Sequence, residues 1–446
     1  MSSATLVSNI PSIEEEVLAS LDHSSDDELA CVASHRGSSG YASIHWAATT
    51  HAKRLVATTF TTQGTNSIDI LDYDGMSRVQ IVASTPADIP CCKAQFTPDG
   101  RSDVFISVGE YLSVWNLEPK SFMEPSVEEG NSGSRSGPLQ EFEVFESCRF
   151  SNKAEGAPTH YTGCDWATYD PNVVLTCSID TTVTLWDLPN EKPIRQLVAH
   201  DKAVFGVEFY GAKTFVSCSE DGSIRLFDLR TPNITCQVHC ESQGLQPIIR
   251  VAVNPIRPEA LAAILDESSS YLLMDLRKPD ICTSESAAHV SPINCITWSG
   301  HANDAVLTGG EDRYCCVTRT TPMPSARSST VPSPANSRRQ TLVSPIVSPP
   351  PTVASTPVPG RSPQQDGDEV IPPPMTAMLS GLSSRTNSSS RLRRASHLFA
   401  SELSARYDCG HNGEVNGVAW SKTFPFLVAA ATEAGIDILD VRSTLS

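Results

Sequence analysis

The string CSIDTTVTLWDL (177–188) has relatives along the chain, and this recurrence constrains the fold more than any other feature. LTCSIDTTVTLWDL (175–188), VSCSEDGSIRLFDLR (216–230) and ISVGEYLSVWNL (106–117) share an alternating run, a polar turn and a second run ending in Asp or Asn. Weaker copies are LVATTFTTQGTNSIDILDYD (55–74), LAAILDESSSYLLMDLR (261–277), LTGGEDRYCCVTRT (307–320) and LVAAATEAGIDILDVR (427–442). The closing positions Asp187, Asp228 and Asp275 lie 41 and 47 residues apart, and Asp72 and Asn116 lie 44 apart. A strand-like segment precedes each copy: YASIHWA, CCKAQFT, HYTGCDWA, VFGVEFY, IIRVAVN, INCITWS and VNGVAWS. The two-residue alternation is that of β-strands, and the Gly, Asp, Asn and Ser between runs favour tight turns. One small sheet cannot bury both its faces, so units of this length stack to share a core.

Seven copies with a period in the forties and Trp-Asp endings resemble the WD-repeat pattern, which implies an all-β, seven-bladed WD40 β-propeller. The last copy reaches Asp440 without a fourth strand, so LACVAS (29–34) is expected to complete the final blade. The expected organisation begins with an acidic disordered N-terminus (1–28) and blades one to six (29–319), with a loop insertion at 118–138. A Pro/Ser/Arg-rich disordered insertion (320–400) then parts the third and fourth strands of blade six, and 401–446 complete blade six and form blade seven. The fourth strands of blades two and six are expected near 139–146 and 402–408. Strand direction alternates, so both insertions should leave one face and the other should stay open for partners.

Asp180, Asp221 and Asp312 share one place, the turn between second and third strands. The WD-repeat resemblance implies that each binds turn amides and a His from the preceding loop, itself linked to a Ser or Thr and the strand Trp. The partners so implied are His160, Thr176 and Trp186 in blade three, and His200 and Ser217 in blade four, where Phe227 replaces Trp. In blade six they are His289 and Thr308, without an aromatic. A buried polar group lacking a partner is costly, so these Asp residues read as struts rather than free acids.

No G-x-x-x-x-G-K-[ST] loop, G-x-G-x-x-G turn, G-x-S-x-G elbow or H-E-x-x-H helix is present, and the repeat accounts for the Ser, His and Asp positions. The chain is therefore read as no enzyme, with no cofactor. CQVHC (236–240) offers Cys236, His239 and Cys240, but no second ligand pair accompanies it, so no metal is expected. The doublets Cys91-Cys92 and Cys315-Cys316, like Trp46, Trp166, Trp298 and Trp420, read as core packing. A formal charge of −18 opposes direct binding to nucleic acid or an anionic membrane. No secretory signal is visible, and 14 cysteines read as reduced thiols in the nucleus and cytoplasm.

Charge and composition single out two segments. Residues 1–28 hold seven acids and no Lys or Arg. Residues 322–374 contain 14 of the 32 prolines, a composition that cannot form a core. Thr321, Ser333, Ser344, Ser348, Thr356 and Ser362 each precede a proline, and Ser396 follows an Arg pair in RLRRASHLF. These are candidate phosphorylation sites, where phosphate would reverse the local positive charge.

CSIDTTVTLWDL, RQLVAHDKAVFGVEF and DGSIRLFDLR, with GEYLSVWNL, YLLMDLR and GEVNGVAWS in the same order, resemble the Transparent Testa Glabra-type WD-repeat proteins and their animal cullin-ligase-associated relatives. The resemblance covers roughly 40–318 and 402–442. It implies a non-enzymatic scaffold assembling kinases or transcription regulators, a monomer within larger complexes. The alternative it implies is a substrate receptor of a cullin-RING ubiquitin ligase. The ligase-docking pattern Trp-Asp-x-Arg has its nearest matches at Asp228-Arg230, Asp275-Arg277 and Asp440-Arg442, all lacking the Trp. A local ion pair closing the strand is the favoured reading of these pairs.

Overall fold

The computed structural model describes residues 29–37, 39–61, 65–87, 90–120, 141–152, 159–230, 235–240, 246–277, 284–322 and 399–445. Runs of alternating residues fold into seven four-stranded antiparallel sheets. Blade one is Tyr41–Trp46, Arg54–Thr59, Asn66–Tyr73 and Val79–Ala87; blade two is Lys93–Phe96, Val104–Val108, Leu112–Pro119 and Phe142–Phe150. Blade three is Tyr161–Trp166, Val173–Ser178, Thr182–Asp187 and Lys192–Val198; blade four is Val204–Gly211, Thr214–Ser219, Ser223–Asp228 and Thr235–Cys240. Blade five is Ile248–Val253, Ala260–Leu265, Ser270–Asp275 and Ser284–Ala287; blade six is Ile293–Trp298, Ala305–Gly310, Tyr314–Pro322 and Phe399–Asp408. Blade seven takes Val415–Trp420, Leu427–Thr432 and Gly435–Asp440 from the C-terminal region and its fourth strand, Ala30–Arg36, from the N-terminal region.

The second strands are covered on both faces. Ala260–Leu265 and Leu427–Thr432 are buried at every position, as continuous apolar runs require. Fourth strands lie at the rim, and Phe142–Phe150 alternates between half-buried and exposed residues. Seven apolar clusters form, one for each pair of neighbouring blades, including the pair seven and one that closes the ring. In six blades the register slips at the second residue of the first strand, as between Val204 and Gly206. This bulge re-aims the inner strand near the axis.

The expected closing segment 29–34 overlaps the observed strand Ala30–Arg36, which leaves out Leu29, runs two residues further, and pairs Ala30 with Asp440 and Arg36 with Gly435. Gly435 is required there, because a Cβ would collide with the His35 carbonyl. The insertion bounds need correction. Thr320, Thr321 and Pro322 pair with Ser401, Ala400 and Phe399, so the ladder of blade six consumes both ends of the expected 320–400 insertion. Likewise Glu118 and Pro119 pair with Glu143 and Phe142 in blade two. β-Branched and aromatic residues at these ends favour extending the ladder. Residues 121–138 and 323–398 of the two insertions, and the 1–28 segment with its expected disorder, lie outside the described residues.

Candidate protein-binding surface

The second-to-third turns and the loops entering each first strand share one face. In blade four, His200 Nδ1 lies 3.2 and 3.0 Å from the Asp221 carboxylate oxygens, and its Nε2 lies 2.7 Å from Ser217 Oγ. Asp221 also accepts the Asp201 and Ser223 N–H groups and the Ser223 hydroxyl. Phe227, in place of Trp, stacks on Phe215 at 4.8 Å between ring centroids. Blade six repeats the arrangement, with His289 Nδ1 2.9 Å from Asp312 Oδ1 and Nε2 2.9 Å from Thr308 Oγ1. The imidazole is thereby a fixed bridge from loop to strand, with no access for substrate.

Blade three departs from expectation. Trp186 Nε1 donates to Thr176 Oγ1 at 2.8 Å, but among the described residues Asp180 accepts only from the Thr182 N–H and hydroxyl within its own turn. His160 is not its partner; its ring sits 4.0 Å from Glu110 and is half-buried. The reason is spacing. His200 and His289 stand four residues before Val204 and Ile293, whereas His160 immediately precedes Tyr161. Asn152 takes over part of the bridge, donating to Thr184 and accepting from Thr159.

Blades one and seven place their buried carboxylates on third strands, which the sequence reading missed. Asp69 accepts from the Tyr41 and Ser84 hydroxyls at 2.8 and 2.6 Å. Asp437 accepts from Asn412 Nδ2 and the Ser34 hydroxyl at 2.8 and 2.6 Å. A signal existed: both lie in the identical string IDILD, at 68–72 and 436–440.

Burial pushes the Asp221 and Asp312 carboxyls up, but the His200 and His289 hydrogen bonds, with those of the turn amides, outweigh it and hold both below the usual carboxylate range. Burial lowers His289, yet the Cys316 sulfur and the Asp312 carboxylate raise it further, to about 10. On the inner strands Glu208 Oε2 accepts the Val253 N–H at 2.6 Å, tying blade four to blade five. Burial and the Asp165 carboxylate push Glu208 up to about 8. Trp46 and Trp298 donate to the Ala419 and Ala252 carbonyls of neighbouring blades, and all four inner-strand tryptophans are buried. Burial also pushes the Cys164 and Cys295 thiols up to about 12, far from nucleophilic thiolates. Among the described residues no cluster of three His, Cys, Asp or Glu could hold a metal ion. The side chains of Cys236, His239 and Cys240 lie outside the described residues, as do Ser333, Ser344, Ser348, Thr356, Ser362 and Ser396.

The opposite face carries the third-to-fourth connections, including the strand ends that lead into both insertions. Here Arg230 grips Asp228 through Nε and Nη2 at 2.9 and 2.6 Å, and Arg277 grips Asp275 at the same distances. Arg442 Nε lies 3.0 Å from Asp440. All three arginines are mostly exposed, so the local ion pair leaves their outer edges open to solvent. The same face carries a groove of about 350 Å³ across the seam between blades seven and one, including Val32, Lys53, Tyr73, Met76, Phe424 and Phe426. The sequence reading looked instead to the insertion-free face. The FPF string at 424–426, apolar in a connection, was the overlooked sign.

The WD domain, G-beta repeat, matches residues 191–228, which comprise the fourth strand of blade three and three strands of blade four. The chain is 29% identical over 276 residues to the DDB1- and CUL4-associated factor 7 homolog of Dictyostelium discoideum, covering 61% of this chain and 78% of that protein. A WD repeat-containing protein of Saccharomyces cerevisiae is 26% identical over 267 residues, 55% of this chain and 50% of that protein. The GATOR2 complex protein WDR24 of Homo sapiens is 29% identical over 157 residues, 34% of this chain and 19% of that protein.

Proposed function

We propose that this chain, a seven-bladed propeller with one matched WD repeat, is a non-enzymatic WD-repeat scaffold that brings protein kinases or transcription regulators together. One observation carries this reading. Asp221, Asp312, His200 and His289 are engaged in struts inside their blades, while exposed arginines and an apolar groove remain on one face. A rigid ring with such surfaces grips partners without altering its own shape, and holding two partners together raises their mutual concentration. The resemblance to Transparent Testa Glabra-type proteins supports kinases and transcription regulators as the partner classes. The Ser/Thr-Pro pairs of the insertion suit proline-directed kinases held nearby. The protein acts as a monomer within larger complexes, in nucleus and cytoplasm, without direct contact to nucleic acid or membrane.

Affinity purification of the full chain tests the proposal. Kinases or DNA-binding regulators recovered in near-stoichiometric amounts support it; their absence overturns it. A second reading, substrate receptor of a cullin-RING ubiquitin ligase, rests on the name of the Dictyostelium relative and on the exposed arginines. It requires a cullin adaptor among the partners, and Arg230→Ala should weaken that capture.

A further inference from the structure

We propose that the groove at the seam between blades seven and one is the docking site of this chain's own N-terminal segment, bound through the acidic and apolar side chains of residues 12–22. The groove is lined by apolar and aromatic side chains together with Lys53 and the Asp440–Arg442 ion pair, so its one uncompensated charge is positive. Met76 is 82% exposed and Phe426 39%, unusual for large apolar side chains beside a recess. Lys53 Nζ lies 5.4 and 5.3 Å from the Tyr73 and Phe424 ring centroids and has no carboxylate partner among the described residues. Arg442, paired with Asp440, sits 5.9 Å from the Phe426 ring. An ammonium flanked by aromatic rings but lacking an anion suits an acidic, apolar ligand.

The N-terminal segment has that chemistry. In PSIEEEVLASLD (11–22), Ser12 and Glu15 have the spacing of a helix capping box, directly after a proline. Ile13, Val17 and Leu21 then recur every four residues, placing them on one helical face. Glu14, Glu15, Glu16 and Asp22 supply carboxylates, and residues 1–28 contain no Lys or Arg. A stretch this short with apolar residues at helical spacing is marginal alone in water, so those residues need a surface. The tether brings one within reach. Val32 lines the groove, Ala30 lies opposite Asp440 in the closing ladder, and the segment joins at Leu29. A six-residue tether, 23–28, reaches at most about 20 Å, enough for residues 12–22 to meet the groove. Tethering gives an effective concentration on the order of millimolar, so a weak contact suffices.

Hydrogen exchange of the full chain, measured by mass spectrometry at two protein concentrations, tests this. The amides of residues 13–21 should exchange about tenfold or more slower than in the free peptide, equally at both concentrations. Lys53→Glu and Met76→Glu should each abolish that protection while leaving Ala260–Leu265 protected, which verifies the fold. Glu15→Lys combined with Lys53→Glu should restore part of it. Free-peptide rates in the wild-type chain, or protection that survives both groove variants, would overturn the proposal. So would protection that grows with concentration, which places the segment on a second copy.

Discussion

Asp221 and Asp180 occupy the same turn position and differ in what depends on them. Asp221 satisfies His200, two backbone amides and a hydroxyl, so Asp221→Ala strands several buried donors and should cost about 2–3 kcal/mol. Asp180→Ala loses only bonds inside its turn and should cost about 1 kcal/mol; urea unfolding of both variants measures the gap. Titration gives a second check. Asp221 and Asp312 are depressed in the folded state, so their stabilisation is complete above the unfolded value near pH 4 and is lost as pH falls through the lower folded values. His289 is raised, so its contribution is complete below about pH 6.5 and is lost as pH rises toward 10. Asp312→Asn should flatten both limbs of the stability profile. Glu208 has the opposite sign to the aspartates. Its folded value near 8 exceeds the unfolded one, so stability falls as pH rises from about 4 to 8. Glu208→Gln keeps an acceptor for the Val253 N–H and should be more stable than wild type at pH 8 by about 1 kcal/mol or more, measured by urea unfolding.

At the scale of elements, the closing strand matters most. Ala30–Arg36 covers the edge of Gly435–Asp440 and contributes Ala33 to the cluster between blades seven and one. Deleting residues 1–36 should open the ring, lowering Tm by roughly 10 °C or more and broadening the transition. Deletion of 1–28 retains the strand and should leave Tm within a few degrees. The closing strand was legible because the last copy lacks a partner and LACVAS lies before the first. The histidine struts were legible where the loop has the right length, as at His200 and His289. His160 misled because residue type was weighed without its distance from the first strand. Insertion limits were misread because Thr320–Pro322 carry little apolar alternation and are held by cross-strand pairing.

For the whole molecule, the described residues complete seven four-stranded sheets without the segment between Pro322 and Phe399. Replacing 324–391 with a short Gly-Ser connection should change propeller unfolding by less than about 0.5 kcal/mol, since the blade-six ladder remains. If that segment recruits kinases, the same variant should lose them in affinity purification while keeping the other partners. The two faces of the ring divide the work. One is occupied by hydrogen-bonded struts, and the other gathers the Asp-x-Arg pairs, the groove and the roots of the insertions.

The repeat by itself determined an all-β ring of seven sheets, because period, alternation and turn residues are local properties that leave few ways to share a core. Only the tertiary structure decided which His reaches which Asp, and that Asp69 and Asp437 replace the turn carboxylates beside the seam. It alone brought Lys53, Tyr73, Met76, Phe424 and Phe426 together, since the two ends of the chain meet only when the circle closes. Contacts across nearly four hundred residues leave no trace in local pattern; they arise from the requirement that every blade find a neighbour on both sides.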